Sequence, residues 1–238
     1  MRVLVVENFA GTPLGQVGTA LLEAGAGIDL RRAHLGEPLP EGHAGHDGLV
    51  VLGGGQSALD DDDHPFLPAV AALGRTFGAA DKAVLGICLG AQLVARGHGA
   101  ENILGRPVEF GWHEVRATES GRSDPLIAAI GGGSPVFHWH ADTFTLPPGA
   151  VHLATSGMTA HQAFRIGRAV YGIQFHFEAD RSVVAGWNGV FADEIASHTP
   201  DWADRYPLEA ARHGARADAT GLAIARRWVG LIEPRDRH

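Results

Sequence analysis

The sequence predicts an α/β protein built as a three-layer sandwich, a mostly parallel central sheet with helices on both faces. Three observations carry that expectation. Short apolar runs rich in β-branched residues, Val3 to Val6, Gly48 to Leu52 and Ala83 to Ile87, have the length of strands buried on both faces. Between them lie segments whose apolar residues recur at helical spacing and end in glycine. Alternation of the two kinds is that of βαβ units, whose crossover helices cover a parallel sheet. At 238 residues, 45% hydrophobic and 19% charged, the chain suits one domain over 1–238, with a core at about 2–180 and a helical segment at about 181–238.

Val3 to Val6 begins the sheet, and Leu14, Val17, Leu21 and Leu22 follow on one helical face that stops at Gly25 and Gly27. Ile28 to Ala33 suits a second strand; a turn-rich link with Pro38, Pro40 and Gly42 leads to a third, Gly48 to Leu52. Gly53, Gly54 and Gly55 come next. Glycines at a strand's C-terminal end let backbone N–H groups approach a ligand, and ligands of open α/β sheets gather at that edge, although an ordinary turn has the same composition. Asp60 to Asp63 do not fit a calcium loop, because counting from Asp60 puts Pro65 and Ala71 where glycine and glutamate are needed. They and Pro65 are expected instead at the start of a helix carrying Phe66, Leu67, Val70, Leu73 and Phe77 on one face.

Ala83 to Ile87 is the next strand, and Leu89 to Ala95 the next helix, ended by Gly97 and Gly99. Between them sits the chain's only cysteine, Cys88. Gly86-x-Cys88-x-Gly90 has the form of a nucleophile elbow, where small neighbours permit a tight turn and the helix N-terminus favours thiolate. A single cysteine in apolar surroundings is also a common structural residue, so the elbow alone leaves both readings open.

Beyond the elbow, Arg106 to Val115 reads as a strand near a site's rim and Asp124 to Ile130 as a short helix. Ser134 to Phe144 gathers His138, Trp139, His140 and Asp142. His138 and His140 share one side of a strand, but no third ligand stands at a convincing spacing, and no metal site is assigned. Val151 to Thr155 and Gln162 to Ile166 suit strands, and a turn at Gly167-Arg168 leads into Ala169-Val-Tyr-Gly-Ile-Gln-Phe-His-Phe-Glu178. His176 and Glu178 are two apart, so on an extended segment both side chains emerge on one face. There an imidazole and a carboxylate can serve a cysteine as base and orienting group. With 14 histidines in the chain, such a spacing also arises without function.

The net charge of −8, with no basic stripe, argues against nucleic acid as a partner. One cysteine excludes an intramolecular disulfide. The N-terminal apolar run is cut short by Glu7, unlike a signal peptide, and no run reaches membrane-spanning length; a cytoplasmic protein without a membrane partner is expected. Lys82, the only lysine, follows no glycine-rich loop, so a Walker A phosphate loop is absent.

Gly53-Gly54 after a strand, Gly86-Ile-Cys-Leu-Gly-Ala-Gln92 and Gln174-Phe-His-Phe-Glu178 together resemble the class I, triad-type glutamine amidotransferases. The Asp-rich stretch before His64-Pro65, Gly111-Trp112 and Val136-Phe-His-Trp-His-Ala-Asp142 resemble free-standing members similar to the amidotransferase domain of GMP synthase. The resemblance covers roughly residues 2–180. It implies Cys88 as nucleophile, His176 as acid/base and Glu178 as the group that orients His176. It further implies an oxyanion hole from the N–H groups of Gly54 and Leu89, and places Gly53, Gln92, His138, Trp139, His140 and Asp142 near the bound glutamyl group. The reaction implied is hydrolysis of the γ-amide of glutamine or a small γ-glutamyl compound through a thioester on Cys88, without a cofactor.

Two positions depart from the family pattern: Phe177 and Gly55 stand where relatives usually have proline. Each loses a fixed φ, which is expected to loosen the loops beside the triad without removing a reacting group. Enzymes like GMP synthase pass ammonia to an ATP-using domain, and the roughly 60 residues after Glu178 are few for one. The chain is therefore expected to act alone on a γ-glutamyl compound, or to be the glutaminase subunit of a separate synthetase. An idle binding protein of the same fold is disfavoured by intact Cys88, His176 and Glu178.

Overall fold

A computed structural model describes residues 1–105 and 108–233. Its first half alternates strands and helices: β1 (Arg2–Glu7), α1 (Gly15–Glu23), β2 (Gly27–Arg32), β3 (Gly48–Val51), α2 (Leu67–Ala79), β4 (Ala83–Ile87) and α3 (Leu89–Gly97). The middle is β-rich, with a short β5 (Asn102–Ile103), β6 (Glu109–Ala117), α4 (Glu119–Ser123), β7 (Ser134–His140), a short β8 (Thr143–Phe144), β9 (Val151–Ser156), β10 (Ala163–Ile166) and β11 (Val170–Ile173). Four helices follow, α5 (Arg181–Val190), α6 (Ala192–His198), α7 (Trp202–Glu209) and α8 (Ala215–Val229).

Nine strands form one sheet in the order β2-β1-β3-β4-β11-β10-β9-β6-β7. From β2 to β11 all neighbours are parallel, and from β11 to β7 all are antiparallel. Successive reversals restore direction, so only β10 and β6 oppose the rest, and the sheet is mostly parallel as expected. A bridge between Phe137 and His176 brings β7 back to the chain just beyond β11, with the His176 N–H donating to the Phe137 carbonyl at 2.8 Å. The antiparallel half thus curls over, carrying the end of β7 to the C-terminal edge of the parallel strands.

Side-chain alternation explains the three layers. Val3 and Val5 of β1 pack with Val17 and Leu21 of α1 and Ile224 and Trp228 of α8. Leu4 and Val6 face the other way, onto Val70 and Phe77 of α2 and Leu93 and Val94 of α3. A strand with a helix pair on each face must be apolar throughout, which is why the strands read as unbroken apolar runs.

Three expectations need correction. Leu22 is 69% exposed, because the buried stripe of α1 is only as wide as Val17, Ala20 and Leu21. The aspartates do not cap α2, whose first turn carries no acidic residue: Asp60 accepts from the Ser57 N–H at 2.8 Å, and Asp61 pairs with Arg96 of α3. Asp124 to Ile130 holds only a single tight turn, Ile127–Ile130, with the Asp124 carboxylate accepting from the N–H groups of Leu126 and Ile127. Of the expected rim strand, Arg106 and Pro107 lie outside the described residues, as do residues 234–238 of the helical segment.

Candidate active site

The site begins with the bend between β4 and α3. Cys88 has φ 52° and ψ −111°, and it shares positive φ with one other described non-glycine residue, Asp81. A non-glycine residue held there costs on the order of 1–3 kcal/mol and persists only where its surroundings enforce it. They do: a Cβ on Gly86 would strike the Gly90 backbone, a Cβ on Gly90 would strike the Val51 carbonyl, and the Cys88 N–H is held by the Ile173 carbonyl at 2.9 Å. The turn can be this tight only with glycine on both sides. It leaves Cys88 5% exposed, with Sγ 3.6 Å from the Trp139 carbonyl oxygen.

Strand β11 lies beside β4, with Ile173 opposite Ile87, so the chain leaving β11 delivers His176 next to Cys88. Nδ1 of His176 is 2.7 Å from Oε1 of Glu178, on the shared face that their spacing predicts. Burial works against charge on His176. The charges of Glu178 and Cys88 and hydrogen bonds to both outweigh it and hold the imidazole pKa well above 6.5. Thiol, imidazole and carboxylate therefore stand in one group beyond the ends of β4 and β11. Gly53 lies flush with it, since a Cβ there would sit 3.4 Å from His176 Cε1 and 3.6 Å from Cys88 Cβ. A Cβ on Gly54 would fall 2.6 Å from Leu89 Cδ2, so the Gly54 backbone runs against the first residue of α3. A helix leaves the N–H of its first residue without an intrahelical acceptor, and that is Leu89.

The segment from His176 to Glu178 is clamped from behind. The backbone and side-chain N–H groups of Gln16 donate to the carbonyls of Glu178 at 2.8 Å and Phe177 at 2.9 Å, and Gly221 of α8 packs directly on the Phe177 carbonyl. Phe177 itself is 1% exposed, inside the main core. These contacts hold the Phe177 backbone in place without the fixed φ of a proline. A cavity of about 350 Å³ opens on Cys88 and His176, and Gly54, Leu89, Gln92, Trp139, His140 and Asp142 also line it.

Comparison with known proteins decides the family. A family model described as glutamine amidotransferase class-I matches residues 18–184. The chain belongs to the class-I glutamine amidotransferases. It is 35% identical to the glutamine amidotransferase-like protein YfeJ of Salmonella typhimurium over 69% of this chain and 70% of YfeJ. It is 31% identical to one subunit of the glutamine-hydrolysing GMP synthase of Methanococcoides burtonii, spanning 56% of this chain and 64% of that subunit's length. The crystal structure of a glutamine amidotransferase from Thermotoga maritima superposes with a TM-score of 0.87 at 26% identity, covering 98% of this chain and 99% of the other.

Within this amidotransferase, two residues grouped with the substrate contacts, Gly53 and His138, are not part of the cavity lining. His138 is fully buried; it lies two residues deeper along β7 than His140, whose side chain reaches the lining. The structure also supplies the third ligand-type residue that the sequence did not: Glu109, opposite His140 in the β6–β7 register. One ligand atom each of Glu109, His138 and His140 lie within 4.8 Å of one another. The carboxylate is already enclosed by donors from His140 at 3.0 Å and from Ser156, Thr159 and Gln162 at 2.6 Å each. Burial works to raise the Glu109 pKa, but the hydrogen bond from His140, the electrostatic effect of His138 and the bonds from Ser156 and Thr159 outweigh it and lower it from 4.5 to about 2. His140 Nδ1 faces the Asp142 carbonyl at 2.9 Å, so both of its ring nitrogens face oxygen acceptors. Glu109 and His140 reach the cavity lining, His140 also engages the Asp142 carbonyl, and both ring nitrogens of the buried His138 are without a hydrogen-bond partner among the described residues.

The remaining lining residues of the amidotransferase pocket were not singled out by motif. Phe9, Phe110 and the pair Trp187 and Phe191 come from three separate places in the chain and meet at the cavity with Trp139. Only spacing at helical intervals marks Trp187 and Phe191 in the sequence, and that pattern equally describes an ordinary buried helix face.

Proposed function

We propose that the chain hydrolyses the γ-amide bond of glutamine or a small γ-glutamyl compound through a thioester on Cys88. The observation that carries this reading is the meeting of Cys88 and His176 in the lining of one cavity, with the Glu178 carboxylate 2.7 Å from Nδ1 of the imidazole. The Cys88 thiolate attacks the γ-carbonyl carbon, and the oxygen takes the negative charge in a hole formed by the Gly54 and Leu89 N–H groups. As the tetrahedral centre collapses, the C–N bond breaks and His176 gives its proton to the departing amine. His176 then takes a proton from water, the hydroxide adds to the thioester, and the thiolate leaves with glutamate as product. Glu178 holds Nδ1 of the imidazole and stabilises its charge throughout. Losing one oxyanion donor in such a site costs on the order of a hundredfold to a thousandfold in rate. Gln92, His140 and Asp142 form the polar side that orients the glutamyl group.

A γ-glutamyl chloroketone should label Cys88 alone, and the purified chain should release glutamate from at least one γ-glutamyl amide. A covalent adduct elsewhere, or turnover that survives Cys88→Ala, overturns the assignment. Similarity to one subunit of a GMP synthase supports a second reading, a glutaminase subunit that delivers ammonia to a separate synthetase. Under it, the isolated chain is nearly idle and a purified ATP-dependent partner raises its glutaminase rate by orders of magnitude. We favour the autonomous enzyme, because the imidazole and carboxylate are already aligned in the chain by itself.

A further inference from the structure

We infer that the amide cleaved here carries a ring-bearing apolar amine as its leaving group, an inference that rests on the proposed γ-glutamyl hydrolysis. The leaving amine must lie within reach of His176, which protonates it. The ring that flanks the imidazole is Trp187, with centroids 5.1 Å apart and planes at 78°. From there an aromatic wall continues. Trp187 meets Trp139 at 5.7 Å, Trp139 meets Phe191 at 5.4 Å and Phe110 at 5.4 Å, and Phe191 meets Phe9 at 6.3 Å. All five rings line the cavity that contains Cys88.

This wall is built rather than incidental. The Trp187 indole N–H donates to the Gly11 carbonyl at 2.9 Å, which turns its apolar face into the site. Ammonia is one heavy atom and gains nothing from five rings, whereas offset and edge-on contact with a ring on the substrate is worth about 0.5–1.5 kcal/mol per pair beyond area burial. The cavity of about 350 Å³ falls in the ~300–1,000 Å³ range of pockets that hold drug-sized ligands. Gln92, His140 and Asp142 offer polar groups to the glutamyl end, and Glu194, His198 and Thr199, which follow Phe191 in the chain, add polar groups elsewhere on the lining. Phe9, Trp187 and Phe191 lie outside residues 18–184, the span of the family match, so three of the five rings come from outside the matched segment.

The test compares γ-glutamylbenzylamide, γ-glutamylmethylamide and glutamine with the full chain. The expected result is a kcat/KM for the benzylamide at least about tenfold above those for the other two, the scale on which apolar pockets discriminate. Phe191→Ala and Phe9→Ala should each lower the ratio of benzylamide to glutamine kcat/KM by about fivefold or more. Both residues are only partly buried, so these variants should fold, and circular dichroism checks that. Where turnover is slow for every amide, protection of Cys88 from a γ-glutamyl chloroketone reads the same preference, and the benzylamide should protect at tenfold lower concentration. Glutamine equal to or better than the benzylamide in both assays, or a ratio unmoved by the two variants, overturns the inference while leaving the hydrolase intact. Failure of the chloroketone to label Cys88 at all counts against the underlying reaction instead.

Discussion

Replacing the Cys88 thiol by hydrogen removes one heavy atom from a position 5% exposed. Cys88→Ala should therefore fold with an unchanged circular dichroism spectrum and show no turnover. His176→Ala should be as severe, and Glu178→Gln milder, because the amide still holds the imidazole but no longer stabilises its charge. The pH dependence tests the same point. His176 titrates well above 6.5 chiefly because the charge of Glu178 outweighs burial, so Glu178→Gln should move the alkaline limb of the rate profile toward lower pH. The contribution of this pair to stability is full below 6.5 and is lost as pH rises through the elevated value. Glu109 has the opposite sign: its lowered pKa gives a contribution present above 4.5 and lost as pH falls through about 2. Glu109→Gln should cost at least about 2 kcal/mol in urea melts at pH 7, with the difference from wild type closing on acidification. Cys88, His176 and Glu178 were legible in the sequence because each motif is local. Glu109 was not, since its four donors lie 31, 47, 50 and 53 residues away, brought together only by strand register.

Among the elements, the β4–α3 bend is the least tolerant. Gly90→Ala would set a methyl against the Val51 carbonyl of the neighbouring strand, and we expect loss of soluble folded protein or destabilisation beyond about 4 kcal/mol in denaturant melts. Helix α5 gives a graded case. Asp180 caps it by accepting from the N–H groups of Ser182 and Val183 at 2.9 Å each, and Asp180→Ala should cost about 1 kcal/mol by the same measurement. The parallel strands and their helices were readable because a strand buried on both faces has an unmistakable composition. The placement of the β6–β7 hairpin was not readable, because the bridge from Phe137 to His176 joins positions whose sequences carry no pairing signal. The aspartate run misled for a related reason: its partner, Arg96, is on another helix, 35 residues from Asp61.

Across the whole molecule, the C-terminal helices share the core with the strands. Ile224, Ala225 and Trp228 pack with Val3, Val5 and Leu85, and Gly221 presses on the backbone between His176 and Glu178. We expect one cooperative unfolding transition by calorimetry, and a chain cut after residue 200 should fail to give a folded protein. The helix tendency of this segment was visible in the sequence, but its support of the histidine and glutamate was not, because Gly221 acts by lacking a side chain. The same packing divides the five tryptophans unevenly: Trp228 lies in the main core, while Trp112, Trp139, Trp187 and Trp202 belong to one separate cluster. Two of these indoles, Trp139 and Trp187, line the cavity with Cys88, so occupation of the site should quench or shift the protein's ultraviolet emission without any dye. Turnover by the proposed reaction should then be visible in a stopped-flow instrument by the light of the chain itself.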